Sequence, residues 1–166
     1  MSETWVLGLK LLLITAIAGF ALGLTNYLTE EPIAQQRIQA DIDARLAVLP
    51  SASDFEEIEL NRSPEDDVKI VELYKGIDGT KEIAGYTFKM LAKGFGGDME
   101  VIVGMDVEGN VAAVRIGGHS ETPGLGAKAS DEDFLEQFAG KTAENPIEVK
   151  KAGDLADNEV QALTGA

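Results

Sequence analysis

From Trp5 to Tyr27 the chain is an almost unbroken apolar run in which Lys10 is the single charge, and beyond Thr29 apolar and polar residues interleave. As a helix those 23 residues rise about 34 Å at 1.5 Å per residue, enough to cross about 30 Å of hydrocarbon with some tilt. Trp5 and Tyr27 stand near the two ends, where amphipathic rings favour the headgroup level, and Thr29, Glu30, Glu31 and Pro32 close the run. The pattern predicts a transmembrane anchor over 1–28. A cleaved signal peptide is a second reading, because Ala21 and Gly23 have the small-x-small spacing that a signal peptidase accepts, and a buried soluble helix is a third. The run is longer than a usual signal core and has no polar face, which weighs against both.

The next segment changes period. Pro32 suits a first helical position, and Ile33, Ile38, Ile42, Leu46 and Leu49 recur at helical spacing until Pro50, predicting a stalk helix over 29–50. Residues 51–166 then read as one domain. Residues 51–64 are polar and acidic around Phe55, Ile58 and Leu60, a linker with a short element. Runs at 68–75, 83–91, 99–105 and 111–116 predict strands, and Asp78-Gly79 and Gly109-Asn110 tolerate the positive φ of tight reversals between antiparallel neighbours. Ser130, with Asp131, Glu132 and Asp133 after it, resembles an N-cap and acidic first turn, with Phe134, Leu135 and Phe138 on one helix face. The expected class is α+β: one N-terminal transmembrane helix and a stalk helix, then an antiparallel-sheet domain. No internal repeat or low-complexity tract is visible.

Charge narrows the partners. Only Glu3 and Lys10 precede residue 29, so 29–166 keeps 13 of the 14 basic and 28 of the 29 acidic residues and the full net charge of −15. Nucleic acid is excluded as a partner, since its binding depends on neutralising phosphates with Lys and Arg, and an anionic lipid surface is equally unpromising. Lys10 and the amino terminus on one side nearly balance Arg37 and Arg45 beyond the other, so the positive-inside signal leaves orientation almost tied. With no cysteine there is no disulfide, no thiolate nucleophile and no cysteine-held iron–sulfur cluster, so electrons, if the chain moves them, reside on an organic cofactor.

Two loops carry the candidate chemistry. Residues 119–128, HSETPGLGAK, leave a predicted strand with glycines at 124 and 126, where a flat ring can approach the backbone and Thr122 and main-chain N–H groups can donate to its carbonyls. By turn chemistry alone the same segment also reads as an ordinary turn. Residues 93–97, KGFGG, form a second glycine loop whose Phe95 either flanks a ligand or plugs the core. His119 is the only histidine, which with no cysteine argues against a zinc site and for no metal; beside Glu121 it is a possible proton relay or a loop histidine making routine hydrogen bonds. Neither GxGxxG after a strand nor GxxxxGK[ST] occurs, and no nucleophile elbow or triad is available, so no catalytic side chain is assigned.

Taken together, KGFGG, MEVIVGMDVEGNV, HSETPGLGAK and the terminal EVQALTGA resemble the FMN-binding domain of the Rnf complex G subunit, a domain shared with the C subunit of sodium-translocating NADH:quinone reductase. The resemblance covers nearly the whole chain, anchor and stalk included. It implies an electron-transfer subunit, with no active site of its own, in a membrane-bound ion-translocating ferredoxin:NAD oxidoreductase. Its partners are the other subunits of that complex and the lipid bilayer, and its flavin domain lies on the outer side of the inner membrane, held by a single span. The family joins FMN by a phosphoester to the last threonine of [ST]GAT. Thr164, Gly165 and Ala166 match the first three positions, so the attachment is expected at a threonine following Ala166. The sequence is then a fragment interrupted at the modified residue, or else the protein cannot attach the flavin. The resemblance implies that Glu121, Thr122, Pro123, Gly124, Leu125 and Gly126 lie against the isoalloxazine ring, with His119 nearby and Gly96 and Gly97 close; Lys128 is a phosphate partner on charge alone. The C subunit of the quinone reductase is an alternative, and a non-enzymatic membrane-anchored docking or sensing module is an alternative of another class.

Overall fold

The computed structural model describes residues 2–60, 69–151 and 153–163. The chain divides into two compact units, Met1–Asp41 and Ile42–Ala166. Helix α1, Ser2–Val48, is 47 residues long and contains Pro32. Pro32 is therefore not a helix start: the stalk residues continue α1 through the proline to Val48. Pro32 removes one N–H from the i→i−4 ladder, and the Ala34–Gln35–Gln36 sequence after it has the helix preference to carry on.

In the first unit the large apolar side chains stand exposed, among them Leu11, Ile14, Phe20 and Leu22. Among the described residues α1 is the one helix long and apolar enough to cross a membrane. Its hydroxyls are compatible with a medium that offers no hydrogen bonds. Thr15 donates to the Leu11 carbonyl at 3.0 Å, Thr25 to Ala21 at 2.9 Å and Thr29 to Thr25 at 2.9 Å.

The second unit is built on a five-stranded antiparallel meander in chain order: β1 (Asp54–Glu57), β2 (Lys69–Ile77), β3 (Ile83–Lys93), β4 (Asp98–Asp106) and β5 (Val111–Ile116). The four strands expected from alternation are β2 to β5, although residue 68 lies outside the described residues. The short element in the acidic linker is β1, paired with β2 from Asp54↔Ile77 to Glu57↔Tyr74. At the β4–β5 reversal Gly109 takes φ 86°, as its position predicts. At the β2–β3 reversal the positive φ of 69° falls on Lys81 instead of Gly79. The Asp78 carboxylate accounts for the shift by accepting the N–H groups of Thr80 and Glu82 at 2.7 and 3.0 Å and the Thr80 hydroxyl at 2.7 Å.

The core forms where the last turn of α1 meets the sheet. Val48 and Leu49 are fully buried, with Ala52, Ile102 and Val111 close behind. Bare positions on the strands allow the approach: a Cβ on Gly76 would run into Leu49, and one on Gly104 would run into the Val48 carbonyl. Arg45 fixes the same turn, its guanidinium 2.5 Å from the Glu72 carboxylate and 3.9 Å from the centre of the Tyr74 ring, while Lys89 reaches Glu72 at 3.5 Å.

Beyond β5 the expected helix shrinks to α2, Glu132–Leu135, with 3₁₀ turns at Gly126–Ser130 and Glu136–Phe138. Its N-cap is Asp131, one residue later than Ser130, and no side chain caps it. Phe134 and Phe138 do share a face, edge to face at 5.6 Å. A parallel pair that alternation does not signal, β6 (Glu148–Lys150) with β7 (Glu159–Gln161), follows and buries Val160. This pair is tied back to α2's neighbourhood by the Gln161 N–H, which donates to the Gln137 amide oxygen at 2.7 Å.

Candidate functional site

The turn between β3 and β4 and the segment after β5 leave adjacent strand ends, so the sheet itself brings the two glycine loops together. At the foot of the second, the Glu100 N–H donates to the Gly118 carbonyl at 3.0 Å and the Gly117 N–H to the Glu100 carbonyl at 2.8 Å. Higher up, the Glu121 side chain spans the gap. Its Oε1 accepts the Gly96 N–H at 2.9 Å, and its carboxyl group stands where a Cβ on Gly94 or Gly126 would be. A Cβ on Gly96 would meet the Ser120 carbonyl instead. Of the residues expected near a ring, Gly96, Glu121 and Gly126 are thus in one cluster.

Thr122, Pro123, Gly124 and Leu125 form a turn on that cluster, with the Thr122 carbonyl accepting from Leu125 at 3.1 Å and from Ala127 at 3.3 Å. Gly124 has φ 79°, a left-handed value that favours glycine, and the space beside its Cα is open, as it is at Gly97 with φ 141°. Phe95 does not plug the core: it is 98% exposed at the tip of its turn. His119 accepts the Glu121 N–H at Nδ1, at 3.3 Å, and its Nε2 is 3.3 Å from the Ser130 hydroxyl. The imidazole therefore braces the loop that carries Glu121.

Lys128 faces elsewhere, onto a cavity of about 350 Å³ lined also by Asp131, Asp133, Gln137, Gln161 and Leu163. The end of the described chain and Lys128 share this cavity. Thr164, Gly165 and Ala166 lie outside the described residues. Gln137 and Gln161 carry no sequence signal: they meet only because β7 returns alongside α2. Glu159 anchors that return. Its carboxylate accepts the Ala156 N–H at 2.9 Å and pairs with Lys150 at 3.0 Å, and these contacts, the amide first, hold its pKa below the ordinary 4.5.

Residues 94–166 match the family described as the FMN-binding domain. Across 170 aligned residues the chain is 38% identical to the G subunit of the Na(+)-translocating ferredoxin:NAD(+) oxidoreductase complex of Acetobacterium woodii, covering 96% of this chain and 81% of that one. The chain belongs to the G-subunit family of ion-translocating oxidoreductase complexes. Another member, from the proton-translocating ferredoxin:NAD(+) oxidoreductase complex of Clostridium ljungdahlii, is 32% identical over 150 residues, with 90% of this chain and 75% of that one aligned. The G-subunit fold is close to that of Shewanella oneidensis NqrC, with a TM-score of 0.52 at 18% identity over 72% of this chain and 60% of that one.

The residues of this G-subunit chain fit an FMN in two respects. The open side of the Thr122–Leu125 turn leaves room for a flat ring against bare backbone at Gly124, and Lys128 with the Gln161 side-chain amide offers donors beside the returning chain. Asp131 and Asp133 line the same cavity, two carboxylates against one ammonium, so an anion bound there would depend on Lys128.

Proposed function

We propose that this chain is the electron-carrying G subunit of a membrane-bound, ion-translocating ferredoxin:NAD oxidoreductase of the Rnf type, with FMN joined by a phosphoester to the threonine that follows Ala166. What supports this reading is that a chain related to G subunits carries, in one domain, an open glycine turn at Thr122–Leu125 and, separately, a cavity shared by Lys128 and Leu163. When bound, FMN supplies one- and two-electron redox chemistry that the side chains lack. The polypeptide does the rest. Lys128 and the Gln161 side-chain amide would hold the phosphate near the attachment point, the backbone at Gly97 and Gly124 would face the ring, and His119 holds the loop. Helix α1 anchors the subunit in the inner membrane as a single span and docks it to the other subunits of the complex. The flavin domain lies on the outer side, where a tethered cofactor cannot be lost to solution.

Intact mass of the full-length protein from native membranes tests cofactor and attachment together. An FMN-sized adduct mapped to the threonine after Ala166, with flavin fluorescence that survives denaturation, is the expected result. A colourless protein with an unmodified tail overturns the proposal. The identity of the copurifying subunits tests the assignment to an Rnf-type complex independently of the cofactor. Normal electron flux after replacement of the attachment threonine would favour the non-enzymatic docking module instead.

A further inference from the structure

Glycine-rich loops near a cofactor are bare for one of two reasons: the backbone adopts a conformation other residues avoid, or something must come close. Gly97 and Gly124 satisfy the first, with φ of 141° and 79°. Gly94, Gly96 and Gly126 do not, since none of them is among the residues with positive φ. What comes close to Gly94 and Gly126 is the carboxyl group of Glu121, and what comes close to Gly96 is the Ser120 carbonyl. The space at these three glycines is therefore filled from within the protein. Glu121 also takes the Gly96 N–H at 2.9 Å, so one side chain grips a turn 25 residues earlier in the chain on one side and Gly126 on the other.

We infer that Glu121 is a positioning residue: its carboxylate clamps the Gly94–Gly97 turn to the Thr122–Gly126 turn and so sets the spacing of the two backbone surfaces that bracket the flavin ring. The part of this inference that concerns the flavin rests on the function proposed above. Glu121 then acts through the loops and not by touching the ring, while Gly97 and Gly124 remain open to it. His119 supports the clamp from behind by accepting the Glu121 N–H at 3.3 Å. An amide at position 121 keeps the acceptor oxygen for Gly96 and the same volume, whereas alanine removes both.

The experiment uses full-length, flavin-loaded protein with Glu121→Gln and Glu121→Ala. With the mass adduct intact in both, Glu121→Ala changes the visible circular dichroism of the flavin and shifts its midpoint potential, and Glu121→Gln restores the wild-type dichroism. Unchanged dichroism and potential in Glu121→Ala, or a Gln variant indistinguishable from the Ala variant, overturns the clamp as a positioning device. A second measurement reads the clamp without flavin, through a cycle of thermal unfolding midpoints. Gly126→Ala lowers the midpoint in the wild-type background and does so much less in the Glu121→Ala background, because the colliding carboxyl group is gone. Gly104→Ala, blocked by the Val48 carbonyl under the last turn of α1, costs the same in both backgrounds. Equal cost of Gly126→Ala in the two backgrounds overturns the clamp. A wild-type protein that holds no flavin overturns the proposed function, and with it the flavin half of this inference, while the cycle still decides whether Glu121 joins the turns.

Discussion

Two sets of glycines in the same sheet domain are filled in opposite ways. Under the last turn of α1, the bare positions at Gly76 and Gly104 are filled by Leu49 and by the Val48 backbone, in a region where Val48 and Leu49 are buried. At the β3–β4 turn and at the 3₁₀ turn that follows β5, Gly94 and Gly126 are filled by the carboxyl group of a partly exposed Glu121. Apolar filling makes the first region a source of stability, because any lost volume becomes a cavity. Carboxylate filling makes the second a source of shape: it fixes two loops relative to each other while the net worth of its hydrogen bond stays small.

The strongest way to break this contrast is Leu49→Ala. With Leu49 at 1% exposure, the loss should be about 2–5 kcal/mol in chemical denaturation, the range for emptying a buried leucine site. Gly104→Ala comes next, at about 1–3 kcal/mol, since the added methyl meets main chain that cannot swing aside. Glu121→Ala should cost only about 1 kcal/mol, the scale of one hydrogen bond, while altering the flavin signals described above. A Glu121→Ala loss equal to that of Leu49→Ala would erase the distinction.

Acid titration sharpens the comparison at the two other turns held by carboxylates. Hydrogen bonds from the Thr80 hydroxyl and the Glu82 N–H hold Asp78 below its ordinary 3.8, and the Asn110 N–H does the same for Asp106. The unfolded chain takes up protons first on acidification. The stability these groups contribute is therefore complete above about pH 3.8 and is lost as pH falls through their lowered folded values. Asp78→Asn and Asp106→Asn should each flatten that acid limb in unfolding followed by circular dichroism. The smallest effect belongs to Phe95→Ala: with its ring 98% exposed, stability should change by less than about 0.5 kcal/mol.

The strands were legible because their side chains alternate and their reversals carry Asp-Gly and Gly-Asn, which encode turns locally. Pro32 misleads as a helix start, because a first-turn preference cannot be told from a tolerated interior proline when good helix formers surround it. The β6–β7 pair escapes notice because each strand has three residues and the pairing is parallel, so neither length nor a hairpin turn announces it. In the candidate site, the glycines of HSETPGLGAK and KGFGG mark the two loops that the sheet brings together, and the family resemblance supplies the proposed ligand. What the sequence could not disclose is that Glu121 turns toward a loop 25 residues away. An acid in an acidic chain looks like any other solvated acid, and only the pairing of β3, β4 and β5 brings it under Gly94 and Gly96.

The junction at the end of α1 bears on how this protein can be handled. Arg45, Val48 and Leu49 belong to the compact unit that begins at Ile42, not to the lipid-compatible stretch before it. A protease or a gene truncation that frees the water-soluble portion must cut upstream of Ile42. A cut at Pro50 strips the sheet of the two aliphatic side chains most deeply buried among the described residues and of one of the two cations that reach Glu72, and an aggregating remnant is the expected product.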